Sequence, residues 1–133
     1  MIQVAVAIIV DAQQRILVTQ RPLHAPHGGC WEFPGGKLET NELPEQALIR
    51  EVKEEVGLDV LECQLLGEVN FQYPDKAVQL ITFLVTQFSG NATCLEGQLA
   101  MKWLKQEELN PVDFPEANQY VIELIPHLEV SVI

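Results

Sequence analysis

Glu51, Glu54 and Glu55 stand at i, i+3 and i+4 in the segment Ala47–Val56. At about 100° per residue they share one face of a helix. Like charges at those spacings repel by about 0.2–0.5 kcal/mol per exposed pair. A hard divalent cation, which takes carboxylate oxygens and waters, relieves that repulsion. The chemistry these residues suggest is metal held against a polyphosphate. The plainer reading is a solvated acidic face, partly compensated by Arg50 and Lys53.

The neighbouring residues describe how such a face would be positioned. Pro44 suits a first helical turn, with its φ already helical and no N–H to satisfy. Leu43 is then a poor cap, and Thr40 or Asn41 serve if the start shifts. Gly57 fits the left-handed position that ends many helices. Leu48, Ile49, Val52 and Val56 form the expected buried arc. Ala47 falls in the middle of the acidic arc, a small residue where a ligand would approach.

Before the helix, Trp31-Glu32-Phe33 ends a strand and runs into a Pro34-Gly35-Gly36 turn. Two glycines let the backbone approach a ligand and offer it N–H and carbonyl groups. Glu96, in the loop Glu96-Gly97-Gln98, is a further acid able to complete a metal site from outside the helix. Arg21 lies at a strand end, and its planar fork suits phosphate oxygens.

Val4–Val10 is an unbroken apolar run and reads as a central strand covered on both faces. Asp11–Gln14 is a turn, with Arg15–Thr19 returning as hairpin partner. Pro22–Cys30 is a loop whose histidines, His24 and His27, read as exposed. Val60–Leu66, Gly67–Tyr73, Val78–Phe88 and Met101–Leu104 read as strands, and Gln106–Leu109 as one helical turn. Pro115–Ile125 reads as a second helix, buried through Val121, Ile122 and Ile125. The tail from His127 to Ile133 reads as a frayed end.

The chain has 133 residues, 47% hydrophobic, with a formal net charge of −11. That length supports one domain, 1–133, with a real core. The charge repels DNA and RNA, so direct nucleic-acid binding is not expected. Three well-separated cysteines, Cys30, Cys63 and Cys94, suit a reducing cytoplasm rather than a disulfide framework. Ile2–Val10 is too short to span a membrane, so no membrane association is expected.

The segment 36–58 carries Gly36, Glu42, Arg50-Glu51, Val52, Glu54-Glu55, Gly57 and Leu58 at fixed separations. It resembles a complete Nudix box, the signature of the Nudix hydrolases. WEFPGGK (31–37), the Tyr73-Pro74-Asp75 turn, Glu96-Gly97-Gln98 and the segment 113–118 (DFPEAN) are similar to the MutT branch of that family, the bacterial 8-oxo-dGTP diphosphatases.

The resemblance implies an α+β Nudix fold, an α/β/α sandwich with a mixed curled sheet and a loop-helix-loop motif. It implies hydrolysis of 8-oxo-dGTP to monophosphate and pyrophosphate, by water attack at the β-phosphorus. It implies a Mg²⁺ cofactor, with Mn²⁺ as substitute, on Glu54, Glu55, Glu96 and the Gly35 carbonyl. Glu51 is then a ligand or the general base, Arg50 orients it, and Glu42 braces the loop or binds metal through water. Substrate contacts fall to Arg21, Glu32, Phe33, Pro34, Gly35, Tyr73 and Asp75. Asn118 matches the family's asparagine facing the purine. Its amide both accepts and donates, so it pairs with O6 and a protonated N7, which unoxidised guanine lacks.

The chain departs from the family at Pro26, where a histidine is usual, and at Lys76, where an arginine is usual. A monomer acting on a small nucleotide is implied. Another nucleotide (CTP, dATP or a dinucleotide) is the alternative substrate. A non-catalytic nucleotide-binding module is a further reading, against which the intact box argues.

Overall fold

The structure, a computed structural model, describes residues 1–128; the end of the expected frayed tail, from 129 on, lies outside the described residues. In chain order the elements are β1 (Ile2–Ile9), β2 (Arg15–Gln20), β3 (Trp31–Glu32), β4 (Gly35–Lys37), α1 (Pro44–Val56), β5 (Asp59–Gln72), β6 (Ala77–Ser89), β7 (Met101–Lys105) and α2 (Glu116–Leu124). Short 3₁₀ turns at Gln106–Glu108 and Pro111–Asp113 link β7 to α2.

β1 is apolar throughout because both its faces are covered. Val6, Ile8 and Val10 pack into one core with Ala117, Val121 and Ile125 of the α2 region. Ala5, Ala7 and Ile9 pack into a second core with Ala47, Leu48, Val52 and Val56 of α1. The sheet therefore lies between two helices, the expected sandwich. Its strand order is β4-β1-β6-β5, with β1 and β6 parallel and the other pairs antiparallel. A smaller antiparallel sheet, β3-β2-β7, stands beside it.

Three sequence expectations are corrected here. Arg15–Thr19 is not the hairpin partner of β1. Both edges of β1 are already taken, by β4 and β6, so β2 keeps only the Val10–Ile16 bridge and joins the second sheet. Gly35-Gly36-Lys37 is not a turn but strand β4, paired with Val4–Val6. Local propensity disfavours a Gly-Gly strand, yet close pairing demands it: a Cβ on Gly35 would collide with the Ala5 carbonyl. The strands expected at Val60–Leu66 and Gly67–Tyr73 are one long strand, β5, kept on β6 by three register shifts.

α1 starts at Pro44 and ends at Gly57, whose φ is 74° and whose N–H reaches the Lys53 carbonyl at 3.0 Å. Leu43 is the N-cap and brings no side-chain bond; instead Gln46 Oε1 accepts from the Leu43 N–H at 2.9 Å. The buried arc differs from expectation by one residue. Ala47 is fully buried, and Ile49 is 45% exposed. Facing Ala5 and Ala7, the helix lies close to the sheet, and the small Ala47 belongs in that contact.

Candidate active site

That rotation of α1 decides where its carboxylates go. Taking Ala47 as zero, Glu51 falls near 40° and Glu55 near 80°, between buried Ala47 and Leu48 at about 100°. These two glutamates therefore face the sheet edge rather than solvent. What they meet is β4. Glu55 Oε2 accepts from the Gly35 N–H at 3.0 Å. A Cβ on Gly36 would overlap the Glu51 carboxyl. Gly36 leaves room for the Glu51 carboxyl, and Gly35 leaves room for the Ala5 carbonyl while its N–H serves Glu55. Glu54 stays on the open side, its side chain 49% exposed against 16% for Glu51.

Arg50 gathers the acids on the other flank. Its Nε and Nη2 donate to the two carboxyl oxygens of Glu42 at 2.8 and 2.9 Å. Nη1 donates to Glu51 Oε1 at 2.7 Å and, more weakly, to Glu54 Oε2 at 3.4 Å. Glu42 also accepts from the Glu39 N–H at 2.9 Å, so it joins the loop before α1 to the helix. The Arg50 hydrogen bonds hold the Glu42 carboxyl down at about 2.

The Glu55 carboxyl is pushed up to about 8, first by burial, with Glu32, Glu51 and Glu96 adding like charge and the Gly35 N–H opposing. Burial also raises Glu51, against its bond to Arg50. Glu96 joins this group because its loop is fastened to the end of α1. The Leu95 N–H donates to the Glu55 carbonyl at 3.0 Å. Gln98 Nε2 donates to the same carbonyl at 2.9 Å, while its Oε1 accepts from the Glu96 N–H at 2.8 Å.

The half-buried Glu55 carboxyl faces the like charges of Glu32, Glu51 and Glu96, and the donors are all oxygen, the set preferred by Mg²⁺ or Mn²⁺. The residues fit such a cation. As the side chains lie, no three His, Cys, Asp or Glu among the described residues converge as a metal-holding group. Arg50 turns Glu51 and Glu54 toward itself, and the Gly35 N–H holds Glu55.

Beside this corner opens a cavity of about 450 Å³. Glu55, Gly35 and Gly36 bound it, and so do Arg21, Glu32, Phe33, Tyr73 and Asn118. Val4, Val6, Val78 and Leu80 supply apolar lining. Arg21 pairs with Glu32 at 2.6 Å and donates to the Pro26 carbonyl at 2.6 Å. Phe33 stacks on Phe114 of the 113–118 segment, centroids 5.1 Å apart.

Two expected contacts fall outside the wall. Pro34 is buried, its carbonyl accepting from the Ala7 N–H at 2.8 Å. Asp75 is exposed in its turn, and the next residue, Lys76, lines the cavity instead. Lys37, to which the sequence reading gave no role, and His27, read as exposed and found so, also line it. Arg21, Lys37 and Lys76 are three of only eight Lys and Arg in the chain. Their gathering at one cavity of an acidic protein suits an anionic ligand, and only the fold brings them together.

An α/β/α sandwich with acids of one helix over a glycine strand defines a Nudix hydrolase. Residues 1–125 match the NUDIX domain, and the chain belongs to that family. It is 47% identical to an 8-oxo-dGTP diphosphatase of Proteus vulgaris over 96 residues, 72% of this chain and 86% of that one. It is 38% identical to the 8-oxo-dGTP diphosphatase of Escherichia coli K12 over 127 residues, 96% and 98% of the two chains. A CTP pyrophosphohydrolase of Escherichia coli K12 is 35% identical over 115 residues, 83% and 84% of the two chains. A solved structure of MutT, from work on Aliivibrio salmonicida and Vibrio cholerae, superposes with a TM-score of 0.76 at 38% identity, over 92% of this chain and 94% of that one. Among the described residues no helix is long and apolar enough to cross a membrane.

Proposed function

We propose that this chain is a Mg²⁺-dependent pyrophosphohydrolase, with Mn²⁺ as substitute, that prefers 8-oxo-dGTP and related oxidised purine triphosphates. The observation that carries this reading is a single cavity bounded both by the Glu55–Gly35 corner and by Asn118. A phosphate chain and a base fit one such space. The 8-oxo-dGTP diphosphatase relatives support the same choice.

Glu54, Glu55, Glu96 and the Gly35 carbonyl would hold the metal, with Glu51 a ligand or the general base. A metal held there would supply positive charge against the phosphates and make the attacking water more acidic. Arg50 fixes the Glu51 carboxyl, and Glu42 fixes Arg50 in turn. Arg21 meets phosphate or sugar. Phe33 backbone groups and the Asn118 amide meet the base edge. As water gives up a proton to the general base, its oxygen bonds to the β-phosphorus, and the bond from that phosphorus to the α,β-bridging oxygen breaks. The nucleoside monophosphate leaves with the bridging oxygen, and pyrophosphate carries the oxygen from water. The whole chain, 1–133, acts as one monomeric cytoplasmic domain that removes a mutagenic precursor before DNA replication uses it.

Hydrolysis of another nucleotide is the second reading, favoured by the CTP pyrophosphohydrolase relative. Measuring kcat/KM for 8-oxo-dGTP, dGTP and CTP with Mg²⁺ separates them. A clear preference for the oxidised purine is expected. Equal values, or a preference for CTP, would overturn the base assignment.

A further inference from the structure

α2 begins without a cap of the usual kind. Its N-cap is Pro115, and no side chain of its own segment satisfies the first turn. The first amides of a helix have no partner within it. Here the Asn118 N–H turns back to the Pro115 carbonyl at 2.9 Å. The Ala117 N–H instead donates to the phenolic oxygen of Tyr73 at 2.9 Å, from a residue 44 positions away. Ala117 is 1% exposed, so this bond lies at the buried foot of the helix.

Tyr73 is itself firmly placed. Its backbone N–H closes the following turn onto the Lys76 carbonyl at 2.8 Å. Its ring meets Phe71 edge-on, centroids 4.7 Å apart, and His27 at 5.1 Å. It follows directly on β5, which is held along its length by β6. One oxygen atom therefore transmits the position of the sheet to the first turn of α2. The next residue after Ala117 is Asn118, which lines the cavity.

We propose that Tyr73 is a positioning residue for base discrimination, acting through the Ala117 N–H to set Asn118 against the cavity. This deepens the reading of the site as one for an oxidised purine and rests on it. A two-bond match to a base edge depends on distance and angle, and weakens steeply as either departs from its optimum. Phenylalanine at 73 keeps the ring contacts and removes only the oxygen. It leaves a buried N–H without a partner, so the first turn of α2 loosens where Asn118 is carried.

The test is Tyr73→Phe in the full-length protein, assayed with 8-oxo-dGTP and dGTP in Mg²⁺, with amide hydrogen exchange followed across residues 115–119. KM for 8-oxo-dGTP is expected to rise roughly five- to tenfold, the size of one lost hydrogen bond. Turnover at saturation falls by less than KM rises, and KM for dGTP moves less, so the preference shrinks. The Ala117 and Asn118 amides exchange faster. In an Asn118→Ala background, Tyr73→Phe changes the preference no further. Unchanged exchange with unchanged KM overturns the proposal. Equal losses for both nucleotides, or additive effects with Asn118→Ala, also overturn it. If the wild-type protein itself shows no preference for the oxidised base, the substrate reading fails. Tyr73 is then judged by exchange and by KM for the nucleotide that is turned over, where no change in either overturns it.

Discussion

The Gly35 N–H donates to Glu55 Oε2 at 3.0 Å, across a separation of 20 residues. This bond ties a two-glycine strand to the last turn of α1. β4 has no side chain at Gly36 because the Glu51 carboxyl fills that space, and none at Gly35 because the Ala5 carbonyl of β1 does. α1 can keep glutamates on its sheet-facing arc because the strand below offers Glu55 the Gly35 N–H and leaves Glu51 the space over Gly36.

Gly36→Ala tests that fit. The new Cβ would overlap the Glu51 carboxyl, so either Glu51 or β4 must move. We expect kcat/KM to fall by about tenfold or more, since misplacement by an ångström is costly to positioned groups. Circular dichroism should show the fold retained. Wild-type kinetics in a folded Gly36→Ala protein would mean that Glu51 does not need its present position.

Arg50→Lys separates charge from geometry. Lysine keeps the charge but cannot span both Glu42 oxygens and reach Glu51, as the guanidinium does at 2.7–2.9 Å. A loss of about tenfold in kcat, larger than any rise in KM, is the expected result of steady-state kinetics. A loss confined to KM would place Arg50 on substrate instead.

Stability without metal should depend on pH in two opposite senses. Glu55 has its carboxyl raised from 4.5 to about 8 in the folded chain. Its contribution is fully present below about 4.5 and is lost as pH rises to about 8. Glu42, lowered to about 2, contributes above about 4.5, and that contribution is lost as pH falls toward 2. Urea unfolding of chelator-treated protein should therefore show stability declining from mildly acid to mildly alkaline pH. Glu55→Gln should flatten that decline, and added Mg²⁺ should offset it. A metal-free stability that rises across this range would contradict the placement of Glu55.

Much of this was legible in the sequence, and the limits have physical causes. The position of α1 was readable because Pro44 and Gly57 each fit one helical position. The covering of β1 on both faces was readable from its unbroken apolar run. The rotation of α1 was missed because Ile49 and Ala47 compete for the arc's edge, and only the small Ala5 and Ala7 below decide in favour of Ala47. β4 was missed because pairing with β1 overrides the poor strand propensity of glycine. The separation of β2 from β1 depends on which strands claim the edges of β1, and no local pattern records that. Asp75 was read from its motif, whereas the direction of the turn brings Lys76 to the cavity.

The corrected rotation makes its own prediction. Ile49→Gln should change unfolding free energy by no more than about 0.5 kcal/mol, as for most surface sites. Ala47→Leu should cost about 1–3 kcal/mol by overpacking the helix against the sheet. Urea midpoints of both variants check this, and the reverse order would restore the arc expected from the sequence.

The most direct measurement is a Mn²⁺ titration of wild-type protein and Glu55→Gln, read by water-proton relaxation, without nucleotide. If the acids over β4 are the metal site, wild type binds and Glu55→Gln binds at least about tenfold more weakly, within the range for loss of a site's supporting group. Equal binding by the two proteins would contradict the account, because the carboxylate bonded to the Gly35 N–H would then have no part in holding the metal.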